Sequence, residues 1–129
     1  MSGLIRYSFN PPKYIEAAHG DICRYMCTAF VDSLRNCLTS GGFAKVSCNE
    51  ETGGFFLVGF KGKLFTVEAD YQVEECVDQY TSIGSGESYA LGSLFSSTKE
   101  TPKEKIEDAL KCAEYFNPFV RSPFTILKI

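Results

Sequence analysis

No stretch of this sequence gathers positive charge. Its 13 Lys and Arg are scattered among 16 Asp and Glu, for a net charge of −3 and an isoelectric point near 5.2. Such a surface has no field to draw phosphates, so nucleic acid is not an expected partner. Nor does any apolar run approach the roughly 20 residues that cross a bilayer, which sets a membrane-spanning helix aside. A secretory signal is also missing. Without one, and with no regular spacing, Cys23, Cys27, Cys37, Cys48, Cys76 and Cys112 read as thiols of a protein in a reducing cytoplasm rather than as a disulfide framework. Internal repeats and low-complexity tracts are absent. What remains is a chain of 129 residues, 44% hydrophobic and 22% charged, which is enough for one globular domain over the whole length with a real core.

The first short element is Leu4 to Phe9, apolar and aromatic, stopped by Asn10-Pro11-Pro12 because proline fixes φ and restricts the residue before it. Beyond Gly20-Asp21, apolar residues recur as Ile22, Met26, Ala29, Phe30, Leu34, Cys37 and Leu38. That is the spacing of a helix burying one stripe, with Asp21 as N-cap and Gly41-Gly42 closing its end.

Gly53-Gly54 precedes FFLVGF (Phe55 to Phe60), a turn at Lys61-Gly62, and the return run KLFTVEA (Lys63 to Ala69). This pattern predicts a tight antiparallel hairpin. Because both strands alternate apolar with apolar, the hairpin is expected in a middle layer, covered on both sides. A half-exposed segment follows from Tyr71, with a short strand expected at Tyr80 to Ile83. Gly84-Ser85-Gly86 leads into a helix from about Glu87 to Phe95. The run Thr101-Pro102-Lys103-Glu104 then has the residues of a capping box, with proline at the first helical position. Its helix is expected to bury Ile106, Ala109, Leu110 and Ala113, to break at Asn117-Pro118, and to be followed by a terminal strand at Phe124 to Leu127.

The order hairpin, IGSGESYALGSLF (Ile83 to Phe95), capped helix and PFTILKI (Pro123 to Ile129) resembles the C-terminal body of proteasome-type N-terminal-nucleophile hydrolases, the proteasome β-subunit and HslV-like peptidase family. The resemblance covers about the last three-fifths of the chain, and the helix from Ile22 fits the family's first long helix more loosely. It implies an α+β fold, a four-layer αββα sandwich of the Ntn-hydrolase type that is N-terminally incomplete here. In that family an N-terminal threonine attacks the peptide carbonyl with its own amino group as base, tuned by a lysine and carboxylates. The opening strands that would carry these residues have no counterpart in this sequence, so the chain is expected to be inactive alone.

By the same resemblance Ser85 takes the place of the serine beside the nucleophile's amino group, an auxiliary catalytic role. Read from the residues alone, Ser85 caps a helix in a tight turn that the glycines permit; the two readings are compatible. Asn117 falls at a family aspartate position and Val120 at a family serine position, and an amide cannot set the charge balance of a carboxylate. Ser122 lies close by. Ser2 would become an N-terminal nucleophile only if Met1 were removed. The segment at Gly84 is not a dinucleotide fingerprint, since Tyr89 stands at the third glycine position, nor a G-x-S-x-G elbow, since Ile83 stands at the first. His19, the sole histidine, reads as a surface residue. Cys23 and Cys27, one turn apart, lack the further ligands of a zinc site, and Asp70, Glu74, Glu75 and Asp78 read as a solvated face.

No cofactor and no metal are therefore expected. The sequence supports two functions: a subunit of a proteasome-like threonine peptidase acting on peptide substrates, its nucleophile strand supplied by another chain, or a non-catalytic structural or regulatory ring subunit. Either carries the expectation of a homo-oligomer or a complementing chain in a ring, and the first adds an ATP-dependent unfoldase partner. Uncovered sheet edges and apolar faces drive such association.

Overall fold

Asp21 begins the longest helical stretch as its composition predicts: the carboxylate accepts the Arg24 backbone N–H at 2.8 Å, satisfying one of the donors that a helix start leaves open. The structure is a computed structural model. It describes residues 2–47 and 50–128, with residues 2, 45–47 and 50–52 described by backbone alone. Cys48 lies outside the described residues. The chain divides into two compact units, Met1–Val77 and Asp78–Ile129.

In the first unit, α1 (Ser2–Ser8) and α2 (Glu16–His19) precede a continuous helical run of α3 (Ile22–Tyr25), one π-helical turn (Met26–Phe30) and α4 (Val31–Ser40). The widened turn coincides with Thr28, whose hydroxyl donates to the Arg24 carbonyl at 2.7 Å and so competes for the acceptor that a regular helix needs there. Gly41 ends the run, and a methyl at that position would overlap the Leu4 side chain, so α1 lies close over the end of α4. Strands β1 (Lys45–Ser47) and β2 (Glu50–Thr52) form a small antiparallel ladder. Strands β3 (Phe56–Phe60), β4 (Lys63–Val67) and β5 (Val73–Glu75) form an antiparallel sheet in chain order.

The hairpin turn is the predicted one. Lys61 and Gly62 both have positive φ, 49° and 78°, the two-residue geometry whose twist matches the flanking strands. Register pairs Phe56 with Val67 and Val58 with Phe65, which puts these four residues on one face. That face meets the helix. Phe65, Val67, Tyr71, Tyr25, Met26, Phe30, Val31, Leu34 and Leu38 form the buried cluster, with Phe56, Val58, Phe60 and Val73 packed against it. Phe9 adds an edge-on contact to Phe30, ring centres 5.2 Å apart. Among the described residues the expected second cover is not found: Leu57, on the opposite face, remains 40% exposed. An apolar residue on both faces of a strand thus marked one buried face and one bare one.

In the second unit, α5 (Glu87–Ser96) and α6 (Pro102–Phe116) form a helical pair. The capping box is made: Thr101 Oγ1 accepts the Glu104 N–H at 3.3 Å and donates to the Glu104 carboxylate at 2.6 Å. Buried in this unit are Ala90, Ala109 and Ala113, with Leu94 and Val120 packed against them, whereas Ile106, expected inside, is 40% exposed. The strands expected at Tyr80–Ile83 and Phe124–Leu127 do not form. Both segments carry no sheet pairing among the described residues, because β-prone side chains make a strand only where another backbone takes up their N–H and C=O groups.

The chain is therefore α+β, as expected, but the described strands build a two-stranded and a three-stranded sheet rather than the four-layer αββα sandwich. No helix among the described residues is long and apolar enough to cross a membrane. One-sided burial has a direct test. Phe65→Ala should cost about 3–5 kcal/mol, the usual loss for a fully buried phenylalanine, while Leu57→Ser stays within about 0.5 kcal/mol. Urea unfolding followed by far-ultraviolet circular dichroism measures both, and a large loss at Leu57 would restore the second layer.

Candidate functional site

The turn Gly84-Ser85-Gly86 and the residue Asn117, 32 positions apart in sequence, meet in the second unit. Gly84 takes φ of 107°, which a side chain would strongly disfavour, and this bends the chain into α5. Gly86 then touches α6: a methyl on it would lie 2.8 Å from Val120 Cγ2 and 3.0 Å from Ala113 Cβ. The absence of a side chain lets the start of α5 approach the end of α6 this closely.

Asn117 closes the contact. Its N–H donates to the Ala113 carbonyl at 2.9 Å, ending α6, and its Oδ1 accepts the Phe119 N–H at 2.8 Å. With the oxygen so fixed, Nδ2 faces Ser85 and donates to the Ser85 backbone carbonyl. An aspartate at this position would set an anionic oxygen against that carbonyl. The amide is thus the residue that the contact requires.

Around Asn117 the chain folds back tightly. Arg121 donates to the carbonyls of Glu114, Asn117 and Val120 at 3.2, 3.3 and 2.9 Å, the first two being acceptors at the end of α6. Ser122 donates through its N–H and its hydroxyl to one Glu114 carboxylate oxygen, at 2.8 and 2.9 Å. These two bonds, the backbone one foremost, hold the Glu114 carboxyl below its ordinary range, and Arg121 adds to the effect. At the other end of α6 the Thr101 side chain and backbone likewise lower Glu104.

Ser85 engages Asn117 through its carbonyl, and its side chain is exposed. Val120 packs in the alanine cluster and Ser122 serves Glu114, so neither is directed at Ser85. In the first unit His19 stands at the end of α2 in an aromatic group, 5.2 Å from the Tyr25 ring and 6.2 Å from Tyr14. Its Nδ1 lies 3.0 Å from the Ile15 nitrogen and 3.1 Å from the Ile15 oxygen. Tyr14 and Tyr25 donate to the carbonyls of Gly20 and Pro12 at 2.9 and 2.6 Å, so the group pins the loop between α1 and α3. Ser2 begins α1, and its side chain lies outside what is described. Asp70 accepts from Gln72 at 3.1 and 2.8 Å, and Glu75 pairs with Lys63 at 2.7 Å. Among the described residues no three His, Cys, Asp or Glu gather as metal ligands. Sequence reasoning missed Arg121 and Glu114, whose roles depend on a chain reversal with no motif of its own.

No family model, no curated protein and no solved structure matches this chain.

Two outcomes follow from this geometry. Gly86→Ala should destabilise by about 1–3 kcal/mol through overpacking, and Asn117→Asp by about 0.5–1.5 kcal/mol through the lost donor; thermal unfolding of each variant measures both. A carboxyl lowered by folding stabilises fully above its ordinary value and loses that contribution as pH falls through the lowered value. Hydrogen-exchange protection of the Ser122 amide should therefore hold above about pH 4.5, the ordinary value, and be lost as the pH falls through the lowered one. In Glu114→Gln it should show no such step.

Proposed function

We propose that this chain acts as a non-catalytic structural or regulatory component of an assembly. The observation carrying this reading is a helical pair with a very small core and large apolar side chains outside it. Its buried side chains are three alanines, whereas Tyr89 stacks on Phe116 at 5.3 Å and Tyr115 meets Phe116 edge-on at 4.9 Å, all three on the surface. Phe116 is 58% exposed, Tyr115 83% and Phe119 85%. Below about 70–80 residues a single core rarely supplies enough stability, and oligomerisation is a common remedy. Aromatic rings of this kind supply much of the energy of protein interfaces. A groove lined by Pro102, Ile106, Ile126 and Leu127 adds further apolar surface on the same unit.

A second reading keeps the proteasome-like peptidase, with the nucleophile strand and the missing sheet layer of an αββα sandwich contributed by a complementing chain, and an ATP-dependent unfoldase feeding peptide substrates to the ring. The meeting of Ser85 with Asn117 favours it, since both stand at positions that the family resemblance places near the nucleophile. The local bonding argues for the first reading, because it gives Asn117 and Gly86 a full structural role without chemistry.

Sedimentation separates these outcomes. The assembly reading expects a concentration-dependent oligomer, or a defined complex with a second polypeptide, that Phe116→Ser and Phe119→Ser weaken at least about tenfold, or about 1.4 kcal/mol. A monodisperse monomer without a partner would exclude it. Hydrolysis of a fluorogenic peptide by the purified particle, abolished by Ser85→Ala, would favour the peptidase reading instead.

A further inference from the structure

The segment Ile126 to Lys128 lies beside the start of α6 and encloses with it a cavity of about 560 Å³. Sites for small molecules have volumes of roughly 300–1,000 Å³ and are mostly apolar, with a few polar groups. The lining here fits that description. Pro102, Ile106, Ile126 and Leu127 supply the apolar walls, and Ile106 and Leu127 are among the large apolar side chains left exposed, so an apolar guest would withdraw them from water.

The charged part of the lining is of one sign. Lys103 and Lys128 are its ionised side chains and no acid joins them, although acids outnumber bases in the chain as a whole. Glu104, the acid next to Lys103 in sequence, is held by the Thr101 hydroxyl at 2.6 Å. Glu107 reaches Lys103 only at 3.7 Å, with the two side chains 39% and 72% exposed. So exposed a pair contributes little, and an anion in the cavity competes with it for the ammonium. Lys128 has no ion pair among the described residues. Apolar walls flanked by two cations complement a guest that is apolar along its length and negative at one end.

We propose that this cavity binds a small amphiphilic carboxylate, its alkyl body against Pro102, Ile106, Ile126 and Leu127 and its anionic end at the Lys103 and Lys128 ammonium groups. A guest with the same body and a cationic end meets like charge there, which is how the site discriminates. Tyr115, Phe116 and Phe119 belong to the other end of α6, about 20 Å away at about 1.5 Å per residue. The proposal therefore does not depend on the assembly reading.

The test adds octanoate to the full chain, with octylammonium and acetate as controls, and follows the isoleucine methyl signals by nuclear magnetic resonance. Octanoate should shift the Ile106 and Ile126 signals saturably and bind at least about tenfold more tightly than octylammonium, or about 1.4 kcal/mol, while acetate leaves them unchanged. This comparison uses the wild-type chain and stands even if a variant fails to fold. Lys103→Gln combined with Lys128→Gln should remove the preference for octanoate, and Phe116→Ser should leave it intact. Equal binding of the two amphiphiles, shifts centred on other isoleucines, loss of binding in Phe116→Ser, or a preference that persists without both lysines would each overturn the proposal. So would Ile106 and Ile126 signals that respond only to the concentration of the chain itself, which would give the groove to a second copy.

Discussion

One amphipathic helix laid over one face of a short hairpin is the contact on which the first unit depends. Phe65, Met26, Leu38 and Val67 lose essentially all contact with water there. Each such side chain contributes about 1.5–3 kcal/mol when fully buried, more than any exposed ion pair in the chain can offer. Register follows from this burial. Sliding β4 by one residue would turn Phe65 and Val67 outward and bring Leu64 and Thr66 against the helix. Even the irregular parts serve the same contact: Gly41 admits Leu4, and the Tyr14, His19 and Tyr25 rings close the loop between α1 and α3.

The second unit is held by a different physical means. Its helices approach through Ala90, Ala109, Ala113 and the bare backbone of Gly86, so the gain comes from close contact between small groups rather than from a large apolar volume. Close contact of this kind needs its ends fixed, and polar groups fix them. The Thr101 and Glu104 box begins α6, while Asn117, Arg121 and the Glu114–Ser122 pair end it. The large side chains Tyr115, Phe116 and Phe119 are left on the surface.

Legibility in the sequence followed the range of the interaction concerned. The Asp21 cap, the Lys61-Gly62 turn, the Thr101 box and the helix stop at Asn117 each depend on a few adjacent residues, and each could be read directly. Strands at Tyr80 and Phe124 were misread because their β-prone side chains say nothing about whether a pairing backbone is present. Leu57 was misread for a related reason, since apolar alternation on two faces does not say how many covers exist. Ile106 fits the period of a buried stripe, yet small alanines set the contact and leave it at the edge.

Ser85 and Asn117 could be singled out in the sequence, and they do meet in space, but only the tertiary structure decided how. The amide orientation is set by the Phe119 N–H, and the partner is a carbonyl rather than a hydroxyl. The sequence by itself determined the limits of the main helices and the hairpin turn, because caps, proline, glycine and hydrophobic period act within one or two turns of chain. Which sheet face is covered, which segments pair and which aromatic rings remain in water were decided by tertiary structure. These depend on surfaces brought together from distant positions, where burial of one group excludes another.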